Sequence, residues 1–339
     1  MLYCAIHAED DNNAIMTNDE PEALPVIDSW DSYWQGAQTS GAYTGGGSSH
    51  PLVTSFWTHF FVVEKDRNST PRIIDIASGN GAVVDCASTA FEGQLPEFTC
   101  LDVSASAIRI LEERFPGVHG IVADAASIPL DSARFDIVTS QFGVEYAGLE
   151  AVDEVTRLLA PGGELALLLH HRDGVIYQQC SASLDATRQM QTAGFIPKCV
   201  RMFETGFAAL QGGDRAAYNA AGKQFAPAIK AMEAILAQHG ADVADGTILR
   251  LYRDVRTIHG RMPHYEPGEV TGWLEKLNEE TEAYAGRMAS MLDVAIDDAR
   301  FRQVCTELDE QGIEILRAEP LASADDKPPL AWVLVAKKN

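Results

Sequence analysis

No Lys or Arg precedes Lys65, while residues 1–64 carry nine acids, among them Glu9, Asp10, Asp28, Asp31 and Glu64. A secretory signal or a mitochondrial transit peptide needs a basic N-terminal region, so neither is expected. Long hydrophobic runs are also missing: the aliphatic stretch at residues 165–169 is far too short to span a bilayer. No C-x-x-C pair occurs, and the six cysteines (Cys4, Cys86, Cys100, Cys180, Cys199, Cys305) are scattered. That usage fits free thiols in a reducing cytoplasm, with neither disulfides nor a metal site expected. Basic charge is scarce, with 26 Lys and Arg against 49 Asp and Glu, a net −23. Such a surface repels phosphate, which weighs against nucleic acid as a partner. No membrane partner is expected, and a homodimer stays open.

The 339 residues are enough to bury a core without disulfide or metal. Residues 1–27, acidic and holding Pro21 and Pro25, read as a flexible arm. Residues 28–65 read as a lid and helix: Trp30, Tyr33, Trp34 and Tyr43 precede Gly45-Gly-Gly-Ser-Ser49, and Pro51 opens a helical pattern through Phe56 and Phe60. From residue 72 short β-branched runs alternate with helical patterns, with strands expected near 72–77, 98–101, 120–123, 135–139 and 164–170. This alternation predicts a doubly wound α/β sheet, mostly parallel, with ligands at the carboxyl ends of its strands.

The alternation stops at Arg172, and helical periodicity then runs to about residue 296, most plainly over 267–294. Two closing strands near 313–316 and 331–336 predict an antiparallel hairpin at a sheet edge. The expected layout is therefore one core, residues 66–171 and 297–339, interrupted by a helical cap insertion at 172–296.

Asp75-Ile-Ala-Ser-Gly-Asn-Gly81 closes the first strand and opens a helix. Its glycines permit left-handed backbone and close approach to a ligand, and the helix N-terminus offers free N–H donors. The third glycine of a dinucleotide fingerprint is missing, since Val84 stands there. Asp102 ends the next strand, where a carboxylate can accept ribose hydroxyls. Asp124 with Ala125 ends the third, within reach of an adenine amino group. Each Asp alone also suits a turn or helix cap.

Together these segments resemble the class I S-adenosylmethionine-dependent methyltransferases of the small-molecule type. The matching residues are the 75–81 loop (Ala77 replacing the first glycine of D-x-[GA]-x-G-x-G), Leu101-Asp102-Val103-Ser104, Ala123-Asp124-Ala125, Arg134-Phe-Asp-Ile-Val-Thr-Ser-Gln141 and Leu158-Leu-Ala-Pro-Gly-Gly-Glu-Leu165. The resemblance implies a Rossmann-like seven-stranded sheet and S-adenosyl-L-methionine as cofactor. It implies cofactor binding by Asp75, Ala77, Ser78, Gly79, Gly81, Asp102, Val103, Asp124, Ala125 and Gln141, with Gly79 and Gly81 bracketing the methionine portion, Asp102 on the ribose, Asp124 and Ala125 at the adenine, and Gln141 near the methionine end. Tyr43 or Trp34 in the lid is a further cofactor contact, on position alone.

Methyl transfer from a sulfonium draws its reactivity from the cofactor, so the protein supplies alignment, water exclusion and, for a hydroxyl acceptor, a base. Similar enzymes place a His shortly after strand four. Here Glu145 and Tyr146 stand there, Glu145 a candidate base and Tyr146 an acceptor contact. His170 and His171, ending strand five, are the other candidate bases. Arg250, Arg253, Arg256 and Arg261 form a basic cluster in the insertion. Arg253 and Arg256 either bind an anionic acceptor or pair with neighbouring carboxylates. A small-molecule methyl acceptor is the first expectation. A macromolecular (RNA or protein) acceptor and a nucleotide-binding protein without methyl transfer are the alternatives.

Overall fold

The computed structural model describes residues 30, 31, 33, 34, 50–148, 151–322 and 327–339. The acidic arm at 1–27 and Tyr43 lie outside the described residues.

The first long helix, α1 (Pro51–Arg67), has proline at its start and a cap from His50, whose Nδ1 accepts the Leu52 N–H at 3.2 Å. Then β1 (Ile73–Ile76), α2 (Ala82–Ala90), β2 (Phe98–Asp102), α3 (Ala105–Arg114), β3 (His119–Val122) and β4 (Phe135–Gln141) alternate. They are followed by α4 (Ala151–Leu158) and β5 (Leu159–His170). All four residues of β1 and all five of β2 are buried, as befits strands covered on both faces.

Five helices come next: α5 (Val175–Thr192), α6 (Phe195–Leu210), α7 (Arg215–His239), α8 (Thr247–Gly260) and α9 (Pro267–Val294). The chain returns through α10 (Asp298–Glu310), β6 (Ile313–Leu321) and β7 (Ala331–Lys338).

The seven strands form one sheet in the order β3-β2-β1-β4-β5-β7-β6. The first five are parallel, and β7 runs antiparallel between β5 and β6. The connections diverge between β1 and β4, which opens a crevice at their carboxyl ends. Strand β5 begins five residues earlier than the sequence pattern predicts. Leu159 already pairs with Phe135, and a break in register absorbs Pro161-Gly-Gly163 before Glu164 meets Ile137.

One sheet face is covered by α1 and α2 with the nearer parts of α5 and α9, the other by α4 and α10. The inserted helices also build a core of their own around Phe195, Phe203, Met232 and Leu274. They are nonetheless tied to the sheet, because Ile176 and Cys180 of α5 and Met288 and Met291 of α9 share the cluster of Phe56 and Leu168. Among the described residues no helix is long and apolar enough to cross a membrane.

Candidate active site

The loop after β1 is built on left-handed backbone. Ala77, Gly79 and Gly81 have φ of +52°, +53° and +90°. A Cβ on Gly79 would stand 2.8 Å from the Trp34 ring, and one on Gly81 2.7 Å from Phe115. Gly143, just past β4, lies so close that its Cβ would reach 2.4 Å from that of Ala77. Beneath the loop, Asp75 is buried and its Oδ1 accepts the Thr139 hydroxyl at 2.8 Å. Burial pushes its carboxyl up to about 8, and Asp102 adds to the rise. Its other oxygen is buried without a hydrogen-bond partner among the described residues.

Asp102 is tied to the same loop. Its Oδ2 accepts the Gly79 N–H at 2.8 Å and its Oδ1 the Ser104 N–H at 2.9 Å. Burial raises its pKa, those N–H bonds lower it, and nearby Asp31 raises it further. Val103, the next residue, stays 36% exposed at the rim, an apolar surface open to a ligand. Asp124 is exposed, and its Oδ1 accepts the Ala126 N–H at 2.9 Å, so it caps its own turn while Ala125 beside it is buried.

On the other side of the crevice, the Gln141 Oε1 accepts the Trp57 indole N–H at 2.6 Å. Phe142 is left-handed at φ +54°, and a short 3-10 turn (Val144–Ala147) follows. This turn delivers Glu145 to the end of β5. Glu145 Oε1 accepts the backbone N–H of His170 at 2.9 Å and lies 2.8 Å from its Nδ1. Both side chains are 1% exposed. The rings of Phe142 and Tyr146 flank His170 at 4.7 and 5.9 Å between centroids.

His171 points to the opposite face, as neighbours on a strand do. Its ring stacks on Trp332 at 4.2 Å, its Nδ1 accepts the Asp173 N–H at 3.1 Å, and burial lowers its pKa. Of the two expected His bases, only His170 is thus joined to Glu145 and Tyr146.

The structure gathers Asp75, Ala77, Ser78, Gly79, Gly81, Asp102, Val103, Asp124, Ala125, Gln141, Glu145, Tyr146 and His170 along the carboxyl ends of β1 to β5. It does not bring Arg253 and Arg256 there. Both are exposed on α8, whose buried side (Ile248, Leu251, Val255) joins the core of the inserted helices. Arg250 turns back on its own helix start, donating to the Asp245 carbonyl and to Thr247 Oγ1.

Asp31, Trp57, Gly143 and Arg287 also meet the site or its covering residues, and nothing in the sequence singles them out. Trp57 reads as one apolar residue in a helical stripe, and the others lie far in the chain from what they touch.

A family model described as a methyltransferase domain matches residues 73–163. An uncharacterized methyltransferase of Schizosaccharomyces pombe is 29% identical over 141 residues, covering 41% of this chain and 53% of that one. A malonyl-[acyl-carrier protein] O-methyltransferase of Enterobacter lignolyticus is 35% identical over 97 residues, covering 28% of this chain and 37% of that one. A solved structure, the plantazolicin methyltransferase BpumL in complex with SAH, aligns over 93% of this chain and 94% of its own at 11% identity and TM-score 0.44. The chain thus spans about half or less of the length of these curated relatives. Residues 73–163 thus match a methyltransferase domain, and the seven-stranded sheet that carries them is the scaffold of the candidate site.

Proposed function

We propose that this protein transfers a methyl group from S-adenosyl-L-methionine to a small-molecule acceptor, bound between the sheet rim and the inserted helices. The observation that carries the reading is the coupling of the Gly79 loop to Asp102, beside a buried His170–Glu145 pair on the same rim.

The residues present fit the cofactor. Gly79 and Gly81 hold the loop in left-handed backbone that lets the Trp34 and Phe115 rings close on it, and the buried Asp75 carries an oxygen without a partner among the described residues. The Asp102 carboxylate accepts the Gly79 and Ser104 N–H groups, with the Val103 N–H also bonding to it, and its remaining acceptor capacity suits a hydroxyl donor such as that of a ribose. Val103, exposed at the rim, offers apolar contact to a flat base. When bound, S-adenosylmethionine supplies an electrophilic methyl on a sulfonium leaving group.

The chain's own part is to align, to exclude water and to take up a proton. Glu145 Oε1, 2.8 Å from His170 Nδ1, fixes the imidazole on the rim. An imidazole held in place can draw a proton from a hydroxyl or similar acceptor. The inserted helices shield this rim, since α9 packs against the turn that carries Glu145 and Tyr146. A small acceptor suits such an enclosure and the net charge of −23. A relative named as an O-methyltransferase accords with oxygen as the accepting atom.

The test is a turnover screen with the full chain across hydroxyl, carboxyl, amine and thiol acceptors, with the product identified by mass. The expected outcome is a product 14 mass units heavier than one small acceptor, formed roughly 100-fold or more slowly by His170→Ala. Methylation of RNA or protein but of no small acceptor would overturn the assignment. An unaltered rate in His170→Ala would remove the base.

A further inference from the structure

Four residues near the N-terminus, Trp30, Asp31, Tyr33 and Trp34, have helical backbone and sit across the crevice. Each meets a different part of the site. Asp31 Oδ1 accepts the Ser104 hydroxyl at 2.7 Å and the Ser106 N–H at 3.2 Å, beside Asp102. Trp34 is 8% exposed, with its ring against Gly79. Trp30 meets the Tyr146 ring edge to face at 5.6 Å between centroids.

Tyr33 faces the inserted helices. The Arg287 guanidinium of α9 lies over its ring at 5.0 Å and near the Tyr284 ring at 5.7 Å. Burial, against the opposing pull of Arg287 and with Asp245 adding to it, pushes the Tyr33 hydroxyl up to about 12, so the phenol stays neutral and Arg287 meets an aromatic face rather than an anion. Tyr33 in turn packs edge to face on Trp34, 4.8 Å between centroids. An unbroken file therefore runs from α9 through two aromatic rings to the Gly79 loop.

We propose that Arg287 is a positioning residue: it holds Tyr33, and through it Trp34, against the Gly79 loop, and so sets how long the cofactor stays bound. The proposal rests on the reading that this loop holds S-adenosylmethionine. A segment that covers a ligand loop must leave before the ligand does, so whatever docks it slows ligand release. Arg287 is half-buried at the edge of α9 rather than within a core cluster, so its replacement leaves the fold standing.

The experiment measures dissociation of S-adenosylhomocysteine from the full chain by stopped-flow tryptophan fluorescence. Arg287→Met is expected to speed release about five- to tenfold with an unshifted melting temperature, the range of a partly desolvated cation–aromatic contact. Tyr33→Leu should match it, and the double variant should be no faster than either single one, because both remove the same contact. Arg287→Lys, which keeps the cation, should restore part of the delay. Unchanged release in Arg287→Met, or additive effects in the double variant, would overturn the proposal while the cofactor reading stands. Absence of S-adenosylhomocysteine binding by the unaltered protein would overturn both.

Discussion

Ala77 stands at the first glycine position of the cofactor loop and adopts φ +52°, a region that disfavours any side chain. Left-handed backbone costs an L-residue roughly 1–2 kcal/mol, and glycine's greater freedom when unfolded costs about 0.5–1 kcal/mol. Ala77→Gly should therefore stabilise the protein slightly, by about 0.5 kcal/mol. Urea denaturation measures this, and a loss of about 1 kcal/mol or more would show that the Ala77 methyl, against which Gly143 packs, matters more than the strain. At this scale much of the site is legible. The 75–81 loop and Asp102 announce themselves because turn chemistry and strand ends are local. Asp31, Gly143 and Arg287 do not, since their partners lie far away in the chain. His171 shows a finer limit: two adjacent histidines look equivalent in sequence, yet strand alternation sends one to Glu145 and the other to Trp332.

Among the elements, α1 is attached to the sheet at two points. Near its middle Trp57 donates to Gln141. At its end Arg67 bonds to Glu64 at 2.6 Å and also to Glu164 of β5. Two mostly buried carboxylates thus share one half-exposed cation. Burial first, then the adjoining Glu164, hold Glu64 up at about 7 against the pull of Arg67. The folded protein therefore binds more protons than the unfolded chain between about pH 4.5, the ordinary value, and 7. The stability Glu64 contributes is complete below that window and is lost as pH rises through it. Asp75, raised to about 8 by burial, acts in the same sense over a wider span. Glu64→Gln should raise the melting temperature at pH 8 and leave it nearly unchanged at pH 5. An equal shift at both pH values would contradict the raised pKa.

The periodicity that reveals α1 as amphipathic cannot reveal this junction, because β5 begins earlier than its pattern and places Glu164 beside α1 through a break in register. The α8 arginines are the converse case. Three-residue spacing locates them on one face, but which way that face turns depends on the packing of Leu251 and Val255 into the inserted bundle.

At the scale of the molecule, a doubly wound sheet supplies one functional rim, and the inserted helices and the N-terminal residues close around it. The doubly wound, mostly parallel sheet with its antiparallel closing hairpin was legible because alternating short apolar runs and helical stripes leave few topologies. The relation of insertion to sheet was not: α5 and α9 belong to two cores at once, and Arg287 reaches the rim only because α9 crosses back over the turn at Val144–Ala147. The proposed S-adenosylmethionine site at the Gly79 loop and Asp102 is tested by calorimetric titration of the full chain with S-adenosylhomocysteine, with NAD as the control ligand. Expected are one-to-one binding of S-adenosylhomocysteine, no heat with NAD, and affinity reduced about 30-fold or more in a folded Asp102→Ala variant, because a charged acceptor of hydroxyl hydrogen bonds is removed. Folded, unaltered protein that takes up no S-adenosylhomocysteine, or an Asp102→Ala variant that binds it equally well, would overturn the site.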